Sequence, residues 1–136
     1  MSHSSRVLRR RSGVGISLLC CSINLTTFSC IVQLIVTDDL AAEVDQVYKK
    51  YKMDDKFTDV AEGVVVSIIS DKYYLILATQ YLTHNTIAHE VYHAAVKVAE
   101  DRDIEDEEAQ AWLVGHITAE VYKFIEKKKL IITHGS

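Results

Sequence analysis

The segment His89-Glu90-Val91-Tyr92-His93 sets two imidazoles four residues apart, with a carboxylate beside the first. On an α-helix, positions four apart lie about 40° apart around the axis and one turn apart along it. Both rings can then converge on one metal ion. Glu90 falls on the adjoining side of such a helix, where its carboxylate can reach a water on the metal rather than the metal itself. This is the HExxH spacing of zinc hydrolases, with His89 and His93 as metal ligands, Zn2+ as the cofactor and Glu90 as the general base. The flanking residues Thr86-Ile87-Ala88 and Ala94-Ala95 carry no charge and no proline. A metal-bearing helix packed into a core requires that, because an unpaired charge there is costly.

A catalytic zinc of this kind takes a third protein ligand. Val96 and Ala99 stand where the metzincin extension would place glycine and histidine, and no GTxxD pattern is present. Further along, the chain instead carries Glu105-Asp106-Glu107-Glu108-Ala109-Gln110-Ala111-Trp112. On these residues it resembles a minimal zincin of the glutamate-ligand type. It is particularly similar to short metallopeptidases of phages and prophages, in which HExxH is followed by an EEA segment opening the last helix. The ImmA/IrrE peptidase domain is a more distant likeness. The resemblance covers residues 31–129 loosely and residues 83–125 well. It implies hydrolysis of a peptide or protein substrate, with Glu108 as third zinc ligand and Glu107 as the next choice. Helical spacing points the same way. Glu108, Ala111, Trp112, Gly115, Ala119 and Tyr122 share one face, apolar except at its end, which predicts Glu108 where the core meets the site. The acidic run also suits a helix N-terminus on charge grounds alone. Only 14 residues separate His93 from Glu108, so the connection between the two helices must turn sharply. His116 is a possible oxyanion donor or a hydrogen-bonded helix histidine, Tyr122 a possible neighbour of the site, and His84 a helix-terminal residue. In related zincins an edge strand binds the substrate by main-chain pairing, and Tyr73–Thr79 is the expected strand here.

The elements that must position these residues can be read from periodicity. Residues 29–37 are short and rich in β-branched side chains, as a buried strand is. Asp38-Asp39 can cap a helix in which Leu40, Val44, Val47 and Tyr48 recur at helical spacing to about Tyr51. Residues 60–70 and 73–79 read as an antiparallel hairpin with a tight turn at Asp71-Lys72. Two long helices come next, from about His84 to Glu100 and from about Glu105 to Lys129. Strand, helix, strand, strand, helix, helix predicts a small α+β, zincin-like domain. Its sheet is expected to be three-stranded and mostly antiparallel, with one N-terminal helix and two long C-terminal helices carrying the metal site. The expected organisation is a basic, uncharged leader over 1–28, open between a mobile leader, a signal and an extra strand, then the domain over 29–130 and a tail over 131–136.

Composition bounds the alternatives. The 136 residues are 49% hydrophobic and 25% charged, which excludes a chain disordered throughout. Arg6, Arg9, Arg10 and Arg11 make residues 1–37 basic, whereas residues 38–136 hold 11 basic against 19 acidic residues. An acidic body with a basic tail argues against nucleic-acid binding. The uncharged stretch within 13–36 is long enough to span a bilayer, but Ser17, Ser22, Asn24, Thr26, Thr27, Ser29 and Gln33 dilute it. Cys20, Cys21 and Cys30 form neither an even disulfide framework nor a zinc ribbon, so buried thiols in a reducing compartment are expected. The expected setting is therefore cytoplasmic, the alternative being an exported or membrane-anchored protease. From another class, the competing function is a non-catalytic, metal-stabilised structural or interaction module. Glu90 argues against that alternative, since a purely structural site does not need it.

Overall fold

The computed structural model describes residues 18–53, 62–68 and 71–133. The first part of the leader, the connection after Met53 and the last residues of the tail lie outside these. The elements run β1 (Leu18–Leu25), β2 (Cys30–Thr37), α1 (Leu40–Lys50), β3 (Gly63–Ile68), β4 (Lys72–Ala78), α2 (His84–Asp101) and α3 (Glu107–Lys127), with short 3-10 turns before β2 and α2.

The architecture is α+β, but the sheet has four strands in the order β1-β2-β4-β3 and is mixed. The expected three-stranded, mostly antiparallel sheet is corrected in two respects. Residues assigned to the leader form β1, which pairs antiparallel with β2 from Leu18↔Thr37 to Leu25↔Cys30. In addition, β2 pairs parallel with β4, with Leu34 opposite Leu75. The expected hairpin is present: β3 and β4 pair antiparallel, with Val65 opposite Leu75. The candidate span within 13–36 therefore contains two strands of one hairpin from Leu18 onward, and no helix among the described residues is long and apolar enough to cross a membrane.

Alternation along the central strands sorts their side chains onto two faces. Leu34, Val36, Tyr73, Leu75 and Leu77 join the core under α2 and α3. Ile35, Tyr74, Ile76 and Ala78 join the core under α1. Because both faces of β2 and β4 are covered, these strands read as nearly unbroken apolar runs.

Local chemistry sets the helix ends. The Asp39 carboxylate accepts from Ala42 N at 3.1 Å to start α1. The Thr83 hydroxyl accepts from Thr86 N at 3.0 Å to start α2. Asp103 adopts a left-handed backbone (φ 52°), and Ile104 N donates to Ala99 O at 2.8 Å, which closes α2. That turn reverses the chain within the few residues available, and α3 packs antiparallel on α2. Arg102 fastens the same corner to the β1–β2 turn, its Nε donating to Phe28 O at 2.6 Å.

No disulfide joins Cys20, Cys21 and Cys30. Cys21 is 5% exposed, and burial, with Cys20 and Glu120 nearby, pushes its thiol up to about 11 from 9.0. Between those values the native state keeps a proton that the unfolded chain releases, so stability falls as pH rises through this window. The two-unit displacement corresponds to at most about 2–3 kcal/mol. Urea unfolding at pH 8 and pH 11 should show a smaller loss for Cys21→Ala than for the native chain; equal losses would clear the thiol of this role.

Candidate metal centre

Helix α2 carries the motif with its two sides in different surroundings. Thr86, Ile87, Glu90, Val91, Ala94, Ala95, Val98 and Ala99 are buried. His89, Tyr92 and His93 are exposed on the opposite arc. The structure brings the two histidines together. Their Nε2 atoms lie 3.1 Å apart and the rings meet edge to face, with centroids at 4.6 Å and an interplanar angle of 77°. Two nitrogens bound to a tetrahedral zinc at about 2.0–2.1 Å lie about 3.3 Å from each other. The pair therefore fits as two donors to one ion.

Glu90 is 8% exposed, and burial raises its carboxyl above the usual range while His89 and His93 pull it down. Every fully enclosed side-chain oxygen or nitrogen among the described residues has a hydrogen-bond partner. No hydrogen bond among the described residues involves the Glu90 carboxylate, so its oxygens are not fully enclosed. Its stem is gripped by β3: a Cβ added to Gly63 would stand 2.8 Å from Glu90 Cγ. A glycine inside a strand pattern often marks such a close approach, and this was the signal in the sequence that Gly63 matters.

Glu108 is not brought to the histidines. It lies in the first turn of α3, exposed, its backbone N–H donating to the capping carboxylate of Asp106 at 3.3 Å. The face drawn through Glu108, Ala111, Trp112, Gly115 and Ala119 is the solvent face: Trp112 is 47% exposed and nothing lies within 4 Å of a Cβ placed on Gly115. The buried side of α3 is instead Leu113, Ile117, Glu120, Val121, Phe124 and Ile125. Both stripes have helical spacing, and the correct one holds the larger branched residues while the expected one was built on alanine and glycine. Glu107 is also exposed in that first turn. Among the described residues, no three of His, Cys, Asp and Glu converge closely enough to hold one ion.

The other proposed neighbours are placed elsewhere. His84 Nδ1 and the Tyr122 hydroxyl are 2.6 Å apart, clamping the start of α2 to the last half of α3. His116 stacks on Trp112 with centroids 4.7 Å apart and planes at 7°, and Trp112 in turn meets Phe28 at the β1–β2 turn. That stack lies toward β1, across the sheet from β3. Strand β4, expected to pair with substrate, is interior, flanked by β2 and β3. Its place at the edge beside α2 belongs to β3.

A cleft of about 480 Å³ opens between α2 and α3, with Tyr92 and Val96 lining it from one helix and Gln110 and Val114 from the other. Its floor includes Ala95, Ala99 and Ile104, and Glu100, Asp103 and Glu105 stand at its rim. An apolar floor with an acidic rim suits the aliphatic stem and cationic head of a lysine or arginine side chain. Compared with known proteins, the chain matches no family model, no curated protein and no solved structure.

Proposed function

We propose that the chain is a zinc-dependent peptidase, with His89 and His93 as two of the metal ligands and Glu90 as the general base. The observation that carries this reading is the convergence of the two Nε2 atoms at 3.1 Å on the same turn as Glu90, whose side chain is almost fully buried. Zinc held there supplies Lewis acidity, which acidifies water and polarises a carbonyl. The protein supplies the rest. Glu90 takes the proton of the attacking water and returns it to the leaving amine. An extended peptide pairs its main chain with the outer edge of β3, which has no other strand beside it among the described residues. The acidic cleft next to Tyr92 receives one basic side chain of that peptide.

Zinc content and cleavage of an unstructured protein substrate test this together. The native chain should bind one equivalent of zinc and cleave. His89→Ala should lose both, by about tenfold or more in zinc affinity. Zinc retained in full by His89→Ala would mean that the ion sits elsewhere and the assignment is wrong.

A further inference from the structure

The face of the sheet away from α2 and α3 carries a second cleft, of about 440 Å³, which the proposed chemistry does not use. Helix α1 packs over β4 and leaves β1 only half covered on that side, at Cys20, Ser22 and Asn24. The cleft is the trough between this strand and the helix. Its size is that of a small-molecule site.

Strand register fixes what lies along the floor. Ser22 pairs with Gln33 and Gln33 with Tyr74, so three polar side chains cross the sheet in one row. The next row on the same face, about 7 Å along the strands, holds Cys20 and Ile35. Leu18 lies beyond them, and the floor changes from polar to apolar along its length.

The polar end is built of donors. Ser22 Oγ donates to Gln33 Oε1 at 3.0 Å, which leaves the Gln33 amide nitrogen without a partner among the described residues. Lys72 Nζ donates to the Tyr51 hydroxyl at 3.4 Å, and that hydroxyl is 2.9 Å from the one on Tyr74. Lys50 Nζ lies 5.5 Å from the centre of the same Tyr51 ring. Both lysines line the cleft, and among the described residues neither forms an ion pair with a carboxylate. Two ammonium groups around one phenol, in a partly enclosed trough, set up a positive potential that favours an anion. The carboxylate in the lining, Glu43, stands two turns before Lys50 on α1, about 10 Å away along the helix.

We propose that this cleft binds a small amphipathic carboxylate, its head at Lys50, Lys72 and the Gln33 amide and its aliphatic tail over Cys20, Ile35 and Leu18. Glu43 repels a second acidic group at the far end of the tail, so a monoacid is preferred to a diacid of the same length. The site lies across the sheet from His89 and His93, and its test is independent of the zinc reading.

Octanoate is the probe, titrated into the full chain by calorimetry while backbone amide shifts report where it binds. Its Kd should be about 10–1,000 µM, the range for about ten non-hydrogen atoms. Acetate and octylammonium should bind at least about tenfold more weakly, since one lacks the tail and the other the charge. Shifts should centre on Cys20, Ser22, Gln33 and Ile35. Replacing both lysines, Lys50→Gln with Lys72→Gln, should weaken octanoate about tenfold or more, while the exposed neighbour Lys49→Gln leaves it unchanged. Suberate, the diacid of equal length, should bind at least about fivefold more weakly than octanoate, and Glu43→Gln should close that gap. Equal binding of octanoate and octylammonium would show apolar contact alone and overturn the proposal. So would shifts confined to the cleft between α2 and α3, or full affinity in the double lysine variant. Equal binding of suberate and octanoate by the native chain would overturn the direction of the tail, whether or not Glu43→Gln folds.

Discussion

Glu90→Gln should lower kcat/KM for peptide cleavage by about 10²–10⁴, the usual contribution of a positioned general base, while leaving zinc affinity within a few fold of the native chain. The amide keeps the shape of the carboxylate but cannot accept a proton from water. The same substitution should leave the fold as stable as before or slightly more stable. Glu90 is 8% exposed and burial disfavours its charged form, so a neutral side chain of equal volume removes a desolvation cost. Function and stability thus move in opposite directions, as at a site where a charge is kept for its chemistry. Steady-state cleavage, zinc titration and thermal unfolding of the two chains measure the three quantities. Activity retained within tenfold would remove Glu90 from the mechanism, and a large fall in Tm would mark it as a structural residue instead.

How much of the fold and site was legible in the sequence depended on which interactions are local. The histidine pair was, because both residues sit on one helix and their convergence is a property of helical spacing alone. The cap Asp39 and the hairpin of β3 and β4 were local too. Strand β1 stayed one of three readings of the leader because Ser22 and Asn24 broke up its apolar character. They occupy alternate positions, and Cys21, Ile23 and Leu25 between them fill the core. Reading that stretch for alternation instead of mean hydropathy would have found it. The parallel pairing of β2 with β4 places the intervening β3 at the edge, and nothing within either strand announces it. Misjudging which strand is interior moved the expected substrate edge from β3 to β4. The placement of Glu108 was hardest. It depends on how α3 packs on α2, and two stripes on α3 had equally good spacing. The stripe holding Leu113, Ile117, Val121 and Phe124 took the core because it buries far more apolar area than one built on Ala111, Gly115 and Ala119.

The contact between β3 and α2 also sets the second large effect. Gly63→Ala should destabilise the fold by about 1–3 kcal/mol, the range for forcing extra volume into a packed site. The new methyl would meet Glu90 Cγ at 2.8 Å, Leu77 Cδ2 at 3.1 Å and the Ile76 carbonyl oxygen at 3.2 Å. The carbonyl belongs to the middle of the sheet and cannot withdraw, so relief must come from β3 lifting off or from Glu90 turning out. Either movement disturbs the base and the substrate edge together, so cleavage should fall more than the stability change alone explains. A double-mutant cycle with Glu90→Ala separates the two routes. Removing the Glu90 side chain takes away the closest of the three contacts, so Gly63→Ala should cost at least about 1 kcal/mol less in that background, a coupling of the size seen for touching residues. Additive costs, measured by urea unfolding of the four chains, would show that the strand yields to Leu77 and the carbonyl rather than to Glu90. If the costs are coupled instead, the glycine is what lets an edge strand lie against the motif helix closely enough to hold the base in place.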